Sequence, residues 1–549
     1  MTVLKLIEKI SWGLKMGFIK TIFFFFLVTQ VYPAYRISRI ISKDKSIKVL
    51  RYKKLSKKLD KRITLRRIRE YILESAETPK NIFEDILIPN REKVHFKDFK
   101  STHRSSNSHF LGSETREILK QGPNNNRIIL TFLGDGYLLS EKEKYFSDVQ
   151  RLVKDLIERE TFKSYRKLFN IYATFTPSRQ SGISDRVYKD TVFGLYRYPK
   201  GSKRGILPGN KDVIEEVLDT LPFFTDYPII VANDDYYGGL GGRYAITTRS
   251  LSSGSMVLRH ELGHNFSNVG EEYDGGQVYM GANFSSTPQV GWGHWIEGNI
   301  KLNRSKFLSG SYLWQNLTNH DYRKKFTLEG DKTHLYSINI SSVGWESKND
   351  VVLFLNGRPL NLQGRFTSDR SFFTTKKINL NPGDHLLEIV DKSRDGDNVL
   401  AFANGKAYPD SYNFKKGQIG AFNIFDSKGK EKGFRPTHND CLMRDMRLLN
   451  FCPVDQENIW FRFFRKLNLI ENINVKKEEI IITLMDLKGI QLSWFYRPRF
   501  GGENEILDLN GKLIVKKEKL KKGPYLLRAK WKNPEIKKAF IVTEKEFKL

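Results

Sequence analysis

The spacing of hydrophobic positions changes along the chain. Between residues 127 and 270, short apolar runs alternate with stretches in which apolar residues recur at helical spacing. These patterns predict the following elements: strand 127–133, helix 140–163, strand 168–175, helix 211–222, strand 227–232, edge strand 244–248 and helix 252–269. Strands that alternate with helices in this way predict an α/β core.

Two later stretches have a different pattern, in which short strands alternate apolar and polar residues between turn sequences. The length of 549 residues also exceeds what one hydrophobic core usually holds. We therefore predict an α/β (α+β) core with an inserted β-sandwich and a C-terminal β-sandwich-like domain. The predicted boundaries are 127–324 and 411–474 for the two parts of the core, 325–410 for the insertion and 475–549 for the C-terminal domain.

The first 34 residues resemble a signal peptide. Basic residues from Lys5 to Lys20 precede an apolar run from Ile22 to Val28. This run is shorter than the roughly twenty apolar residues that a membrane-spanning helix needs. Cleavage near Ala34 is disfavoured by Tyr32, which occupies a position that prefers a small residue. The segment therefore predicts a secreted protein, with an uncleaved anchor and membrane association as the alternative.

Residues 35–126 form a basic arm in the predicted organisation. Within it, residues 36–69 contain fifteen Lys or Arg and two Asp, in a chain whose formal net charge is +30. Such a block is typical of a solvated leader or propeptide, or of an arm that binds nucleic acid. Because no base-reading motif accompanies the charge, we expect no nucleic-acid partner. Residues 63–76 have the pattern of a short amphipathic helix.

The cysteines and the glycosylation sequons are compatible with secretion. Cys441 and Cys452 are near enough in sequence to form one disulfide in an oxidising compartment, and two buried thiols are the alternative. Sequons predict glycosylation at four asparagines: Asn283, Asn303, Asn316 and Asn339. A fifth sequon, at Asn265, lies in a predicted helix and is expected to be shielded.

The segment 260–264, His-Glu-Leu-Gly-His, has the spacing of a zinc site. Positions i and i+4 share one helix face, so His260 and His264 can bind one metal ion. Glu261 can then accept a proton from metal-activated water and pass it to the leaving amine. Gly263 is costly in a helix interior, which predicts close packing against a neighbouring element.

A third metal ligand is expected just beyond this helix, because catalytic zinc sites use three protein ligands and leave one position open. If the helix ends at Gly270, either of the next two glutamates can turn back toward the ion. We prefer Glu272 and keep Glu271 as the alternative; His294 and His438 are more distant rivals. Tyr273 is expected either to donate a hydrogen bond to the developing oxyanion or to pack.

The segment 260–273, HELGHNFSNVGEEY, resembles the active-site signature of the IgA-peptidase family of zinc metallopeptidases. Further blocks resemble the same family: 133–137, 169–170, 178–182, 237–239, 435–443 and 451–453. The resemblance implies a zincin-like metallo-endopeptidase fold with one zinc ion. It also makes Met443 a candidate for a methionine turn beneath the metal, with an ordinary core methionine as the alternative.

These observations favour a secreted zinc endopeptidase that acts on protein or peptide substrates. The alternative is a catalytically idle adhesion or binding protein that retains the fold. The Tyr- and Gly-rich loop 236–244 is predicted to line the cleft and to bind an extended peptide as an added strand. Asp135, in a Gly-Asp-Gly turn, is expected to cap backbone amides.

Overall fold

The computed structural model describes residues 35–43, 46–54, 112–198, 204–276, 278–310, 312–318, 320–498 and 501–549. The chain divides into two units, 1–92 and 93–549. In the first unit, β1 (Tyr35–Lys43) and β2 (Ser46–Lys54) form an antiparallel hairpin within the predicted basic arm. The predicted signal peptide and the predicted helix over 63–76 lie outside the described residues.

A six-stranded sheet forms the centre of the second unit. Its strands are β3 (Glu114–Leu119), β4 (Ile128–Asp135), β5 (Phe169–Phe175), β8 (Tyr227–Ala232), β9 (Gly239–Leu240) and β10 (Ala245–Thr248). Their order is β3-β5-β4-β8-β10-β9, and only the two outermost strands run antiparallel to their neighbours. A small hairpin of β6 (Leu195–Arg197) and β7 (Ile206–Pro208) lies outside the sheet.

Helices cover both faces of this sheet because its strands are apolar on both sides. Helix α1 (Lys142–Glu158) and helix α3 (Gly254–Ser267) share one hydrophobic cluster with Phe132. Helix α2 (Lys211–Thr220) belongs to a second cluster with Leu133, whose side chain points to the opposite face. The predicted α/β core is therefore present as helix, sheet and helix layers.

The sheet differs from the prediction at both edges. Strand β3 lies in a stretch that the sequence pattern leaves irregular; it pairs antiparallel with β5 and alternates half-buried and exposed residues, as edge strands do. The predicted edge strand 244–248 is β10, which lies inside the edge and runs parallel to β8. The edge itself is β9, a two-residue strand in the glycine-rich loop.

The insertion is a β-sandwich of a seven-stranded and a four-stranded sheet around its own hydrophobic core. It follows β11 (Leu302–Asn303). The seven-stranded sheet contains β12 (Lys306–Ser309), β13 (Tyr312–Asn316), β15 (His334–Val343), β18 (Leu362–Gly364), β19 (Ser371–Thr375), β20 (Ile378–Leu380) and β22 (Val399–Tyr408). The four-stranded sheet contains β14 (Tyr322–Leu328), β16 (Val351–Leu355), β17 (Arg358–Leu360) and β21 (Gly383–Asp391). The strands of the insertion begin at Lys306, ahead of the predicted boundary at 325.

After the insertion the chain returns to the core through β23 (Ala421–Phe425), β24 (Glu431–Arg435) and helix α4 (Pro453–Phe464). Two C-terminal sheets follow. They contain β25 (Ile470–Val475), β26 (Glu479–Leu484), β27 (Gln491–Tyr496), β28 (Asn504–Glu505), β29 (Ile514–Lys516), β30 (Pro524–Trp531) and β31 (Ile541–Lys548). Trp531 packs against Trp460 of α4, with ring centroids 4.9 Å apart, so this domain shares the hydrophobic cluster of the α/β core. Among the described residues, no helix is both long and apolar enough to span a bilayer.

Candidate metal centre

Helix α3 carries the His-Glu-Leu-Gly-His segment and is buried on almost every side. It ends at Ser267, two residues before the predicted end at 269, because Asn268 adopts a left-handed conformation (φ 51°). The Asn268 amide donates to the carbonyl oxygen of His264 at 2.8 Å. This turn redirects the chain so that the residues after Gly270 pass beside the two histidines.

Three side chains meet at the end of the helix: His260, His264 and Glu271. The two histidine Nε2 atoms lie 3.2 Å apart. One Glu271 carboxylate oxygen is 3.2 Å from His260 Nε2, and the other is 3.3 Å from His264 Nε2. Ligands about 2.0–2.1 Å from a tetrahedral ion are separated by roughly 3.3–3.4 Å, so this donor set fits zinc.

Glu271, and not the preferred Glu272, completes this group. The two glutamates diverge because successive backbone amides point in opposite directions. The Glu271 amide donates to Val278 O at 2.8 Å, whereas the Glu272 amide donates to Met443 O at 3.1 Å. Their side chains accordingly face opposite sides of the segment. The structure thus groups the two histidines with Glu271, the alternative, and not with Glu272, the preferred candidate.

The pKa shifts of His264 and Glu271 are those expected where a carboxylate and histidines surround a cation site. Burial by itself would lower the pKa of His264, but the adjacent Glu271 carboxylate raises it to about 9. Burial opposes ionisation of Glu271 as well, yet His260 and His264 hold its pKa well below the usual range. His264 Nδ1 donates to the Val269 carbonyl at 2.8 Å, which fixes the ring and directs Nε2 toward the group.

Glu261 lies on the same helix, next to the glycine-rich loop. Burial raises the pKa of its carboxyl group. A Cβ atom at Gly241 would lie 2.4 Å from Glu261 Oε2, and one at Gly239 would lie 2.4 Å from Val257 Cγ1. The loop can therefore rest directly on α3 only because these two positions lack side chains.

Gly263 has the packing role that its position predicts. A Cβ atom there would lie 2.7 Å from Met443 Sδ and 2.8 Å from a ring carbon of Phe451. Met443 is fully buried and lies beneath the helix segment that carries the histidines. Tyr273 is half-buried, and its ring centroid is 6.4 Å from that of His260.

The loop that carries Glu271 is held by a buried charge cluster at Asp274. The Asp274 carboxylate pairs with Lys406 of the insertion at 2.9 Å and with Arg444 at 2.8 Å. Burial would raise the pKa of Asp274, but the surrounding Arg444, Lys406 and Arg435 hold it well below the usual range. This link between the insertion and the loop that carries Glu271 was not predicted from the sequence.

Other expectations are corrected by the structure. Cys441 and Cys452 are free buried thiols and form no disulfide. Asn283 and Asn303 are 1% and 5% exposed, so they are inaccessible to glycosylation in the folded chain. Asn339 is half-buried, and only Asn316 is exposed, although its side chain donates to Gly396 O.

The remaining candidates have structural partners. Asp135 accepts hydrogen bonds from the amides of Phe193 and Leu195, each at 2.8 Å, which confirms the expected capping role. His294 contacts Glu457 at 2.5 Å. His438 hydrogen-bonds Tyr412 at 2.9 Å. Neither histidine joins the metal-binding group.

Comparisons with known proteins point to one family. Residues 116–302, which include His260, His264 and Glu271, match the family model described as IgA Peptidase M64. No curated protein matches the chain.

The similarity to solved structures is weak. A Podospora anserina β-(1,4)-mannanase (GH26-CBM35) is 15% identical, with 18% of this chain and 21% of the mannanase covered and a TM-score of 0.14. A CBM35 from Cellvibrio japonicus Abf62 is 13% identical, with 20% of this chain and 82% of that module covered and a TM-score of 0.13. The family match is confined to residues 116–302, and over these residues the chain is similar to the IgA peptidase M64 family.

Proposed function

We propose that the chain is a secreted zinc-dependent endopeptidase with a zincin-like core. His260, His264 and Glu271 would hold one zinc ion, and Glu261 would act as the general base. The observation that carries the proposal is the donor set itself, two buried histidines and a half-buried glutamate whose ligand atoms lie 3.2–3.3 Å apart.

The chemistry follows from the positions of these side chains. When bound, zinc polarises a carbonyl group and lowers the pKa of water. As a water molecule adds to the carbonyl carbon of the peptide bond, Glu261 would accept its proton and then deliver it to the amide nitrogen, which leaves as an amine when the C–N bond breaks. Tyr273, on the His260 side of the group, donates a hydrogen bond to the carbonyl oxygen as negative charge develops there.

The substrate is a protein or peptide that lies along the glycine-rich loop. Strand β9 is the last strand of the core sheet, and Gly241 follows it directly beside Glu261. The Gly239 amide already donates to Arg204 O at 2.9 Å, so a substrate strand would pair beyond Gly239. An extended peptide at this edge would place its backbone within reach of Glu261 without obstruction by a side chain at position 241. In this arrangement the loop both pairs with the substrate backbone and contacts Glu261.

The proposal of secretion rests on residues 1–34. The free thiols and the buried Asn283 and Asn303 lend it no support. Membrane association through the same N-terminal segment is the alternative localisation, and no nucleic-acid partner is proposed.

Replacing Gly241 with alanine is expected to lower kcat by about 100-fold, because the added Cβ displaces the Glu261 carboxylate from its position. Gly291→Ala is the matched control, since a Cβ there meets nothing within 4 Å. Both variants should unfold at the wild-type temperature. Equal activity of Gly241→Ala and Gly291→Ala would contradict the placement of Glu261 beside the loop.

The function is tested by metal removal on the purified full-length chain. We expect a chelator to abolish cleavage of a peptide library and stoichiometric zinc to restore it. Cleavage that survives complete removal of metal would overturn the proposal. A zinc-loaded, folded chain that cleaves no peptide or protein would favour the idle binding protein instead.

A further inference from the structure

Four side chains of types that bind metals lie together next to the segment that carries Glu271: Glu272, Cys441, Cys452 and Asp455. Their donor atoms all lie within 4.8 Å of one another, and all four residues are fully buried. Cys441 Sγ is 3.1 Å from a carboxylate oxygen of Asp455, and Cys452 Sγ is 4.0 Å from one of Glu272. We refer to these four residues as the cysteine–carboxylate cluster.

Backbone contacts position the cluster from three separate segments. The backbone amide of Glu272 donates a hydrogen bond to Met443 O. Cys452 immediately precedes α4, and Asp455 lies in the first turn of that helix. The Cys452 amide donates to Cys441 Sγ at 3.2 Å, which holds the two sulfur atoms on the same side.

The hydrogen bonds within the cluster leave two buried oxygens unused. Glu272 Oε2 and Asp455 Oδ1 have no hydrogen-bond partner among the described residues. Asn283 donates only to the other Glu272 oxygen, at 3.1 Å, and Arg444 donates to the Glu272 backbone carbonyl. Burying unpaired carboxyl oxygens is costly unless another group satisfies them.

We propose that the cysteine–carboxylate cluster is a second metal site, which binds zinc or another thiophilic divalent cation. Bonds of about 2.3 Å to sulfur and 2.0–2.2 Å to oxygen imply S···O separations of roughly 3.5 Å around a tetrahedral ion. The two observed S···O distances, 3.1 and 4.0 Å, lie on either side of that value. Two thiolates favour zinc over magnesium or calcium.

The site is structural in character. Four protein ligands close the coordination shell and leave no position for substrate. Because Glu272 directly follows Glu271, the ion would tie the loop of the catalytic group to α4 and to the segment that carries Met443. The guanidinium groups of Arg435 and Arg444 lie near enough to Glu272 to offset part of the cluster's negative charge.

The test uses cobalt(II), whose bonds to thiolates give charge-transfer absorption in the near ultraviolet. The purified full-length chain is stripped of metal and reloaded with cobalt. Wild type is expected to bind two ions per chain and to show this absorption. The double variant Cys441→Ser/Cys452→Ser should keep one ion and lose the absorption, whereas His260→Ala/His264→Ala should keep one ion together with the absorption.

Two results would overturn the second site: wild type that binds one ion without cobalt–thiolate absorption, or a double cysteine variant with unchanged absorption and stoichiometry. If the double cysteine variant fails to fold, as judged by circular dichroism, Asp455→Asn replaces it and should shift or remove the absorption. The outcome is independent of the proposed function, because a chain without peptidase activity can still show the absorption.

Discussion

Replacing Glu261 with glutamine is expected to lower kcat by about 10²–10⁴-fold, the usual contribution of a general acid–base group. Glutamine keeps the size of the side chain but cannot accept a proton from water. Because Glu261 is not one of the three side chains that surround the metal position, zinc binding should be unchanged. The measurement is kcat on a cleaved peptide, together with zinc content per chain.

The control for this variant is Asp135→Asn, which alters a buried carboxyl group that caps backbone amides and accepts a hydrogen bond from the Thr191 hydroxyl. That change should reduce stability and leave the kcat of the folded fraction near the wild-type value. A Glu261→Gln enzyme that retains wild-type kcat would refute the role of Glu261, whatever its metal content. Loss of zinc from Glu261→Gln would assign Glu261 to the metal site instead.

The parts of the site that the sequence could predict are those set by local geometry. His260 and His264 share a helix face because they are four residues apart, and Gly263 is small because Met443 packs against it. The strands of the core have long apolar runs and were also predicted. Strand β3 was missed because alternate positions of this edge strand are exposed and polar.

The parts that could not be predicted depend on contacts between distant segments. Glu271 and Glu272 have the same side chain, and their roles are decided by which carbonyl group each backbone amide meets. One of those carbonyl groups belongs to Met443, which is far away in sequence. The thiol state of Cys441 and Cys452 likewise depends on how α4 and the preceding loop are placed, since sequence proximity alone does not bring two sulfur atoms into bonding geometry.

A comparison of Glu271→Gln with Glu272→Gln is therefore the sharpest test of the proposed catalytic site. Glu271→Gln is expected to abolish detectable cleavage, because it replaces a charged ligand whose two oxygens face both histidines. Loss of a direct ligand should exceed the roughly 10–100-fold effect of mutating an outer-shell partner. Glu272→Gln should retain most of the wild-type kcat in its folded fraction, because its side chain points toward the cysteine–carboxylate cluster.

Activity, rather than metal content alone, separates the two variants. Each would lose one ion if both metal sites exist, but only Glu271→Gln loses the ion that serves catalysis. Cobalt-loaded Glu271→Gln should keep its thiolate absorption, and cobalt-loaded Glu272→Gln should show it weakened or shifted. An inactive Glu272→Gln chain with wild-type secondary structure, beside an active Glu271→Gln chain, would reverse the assignment.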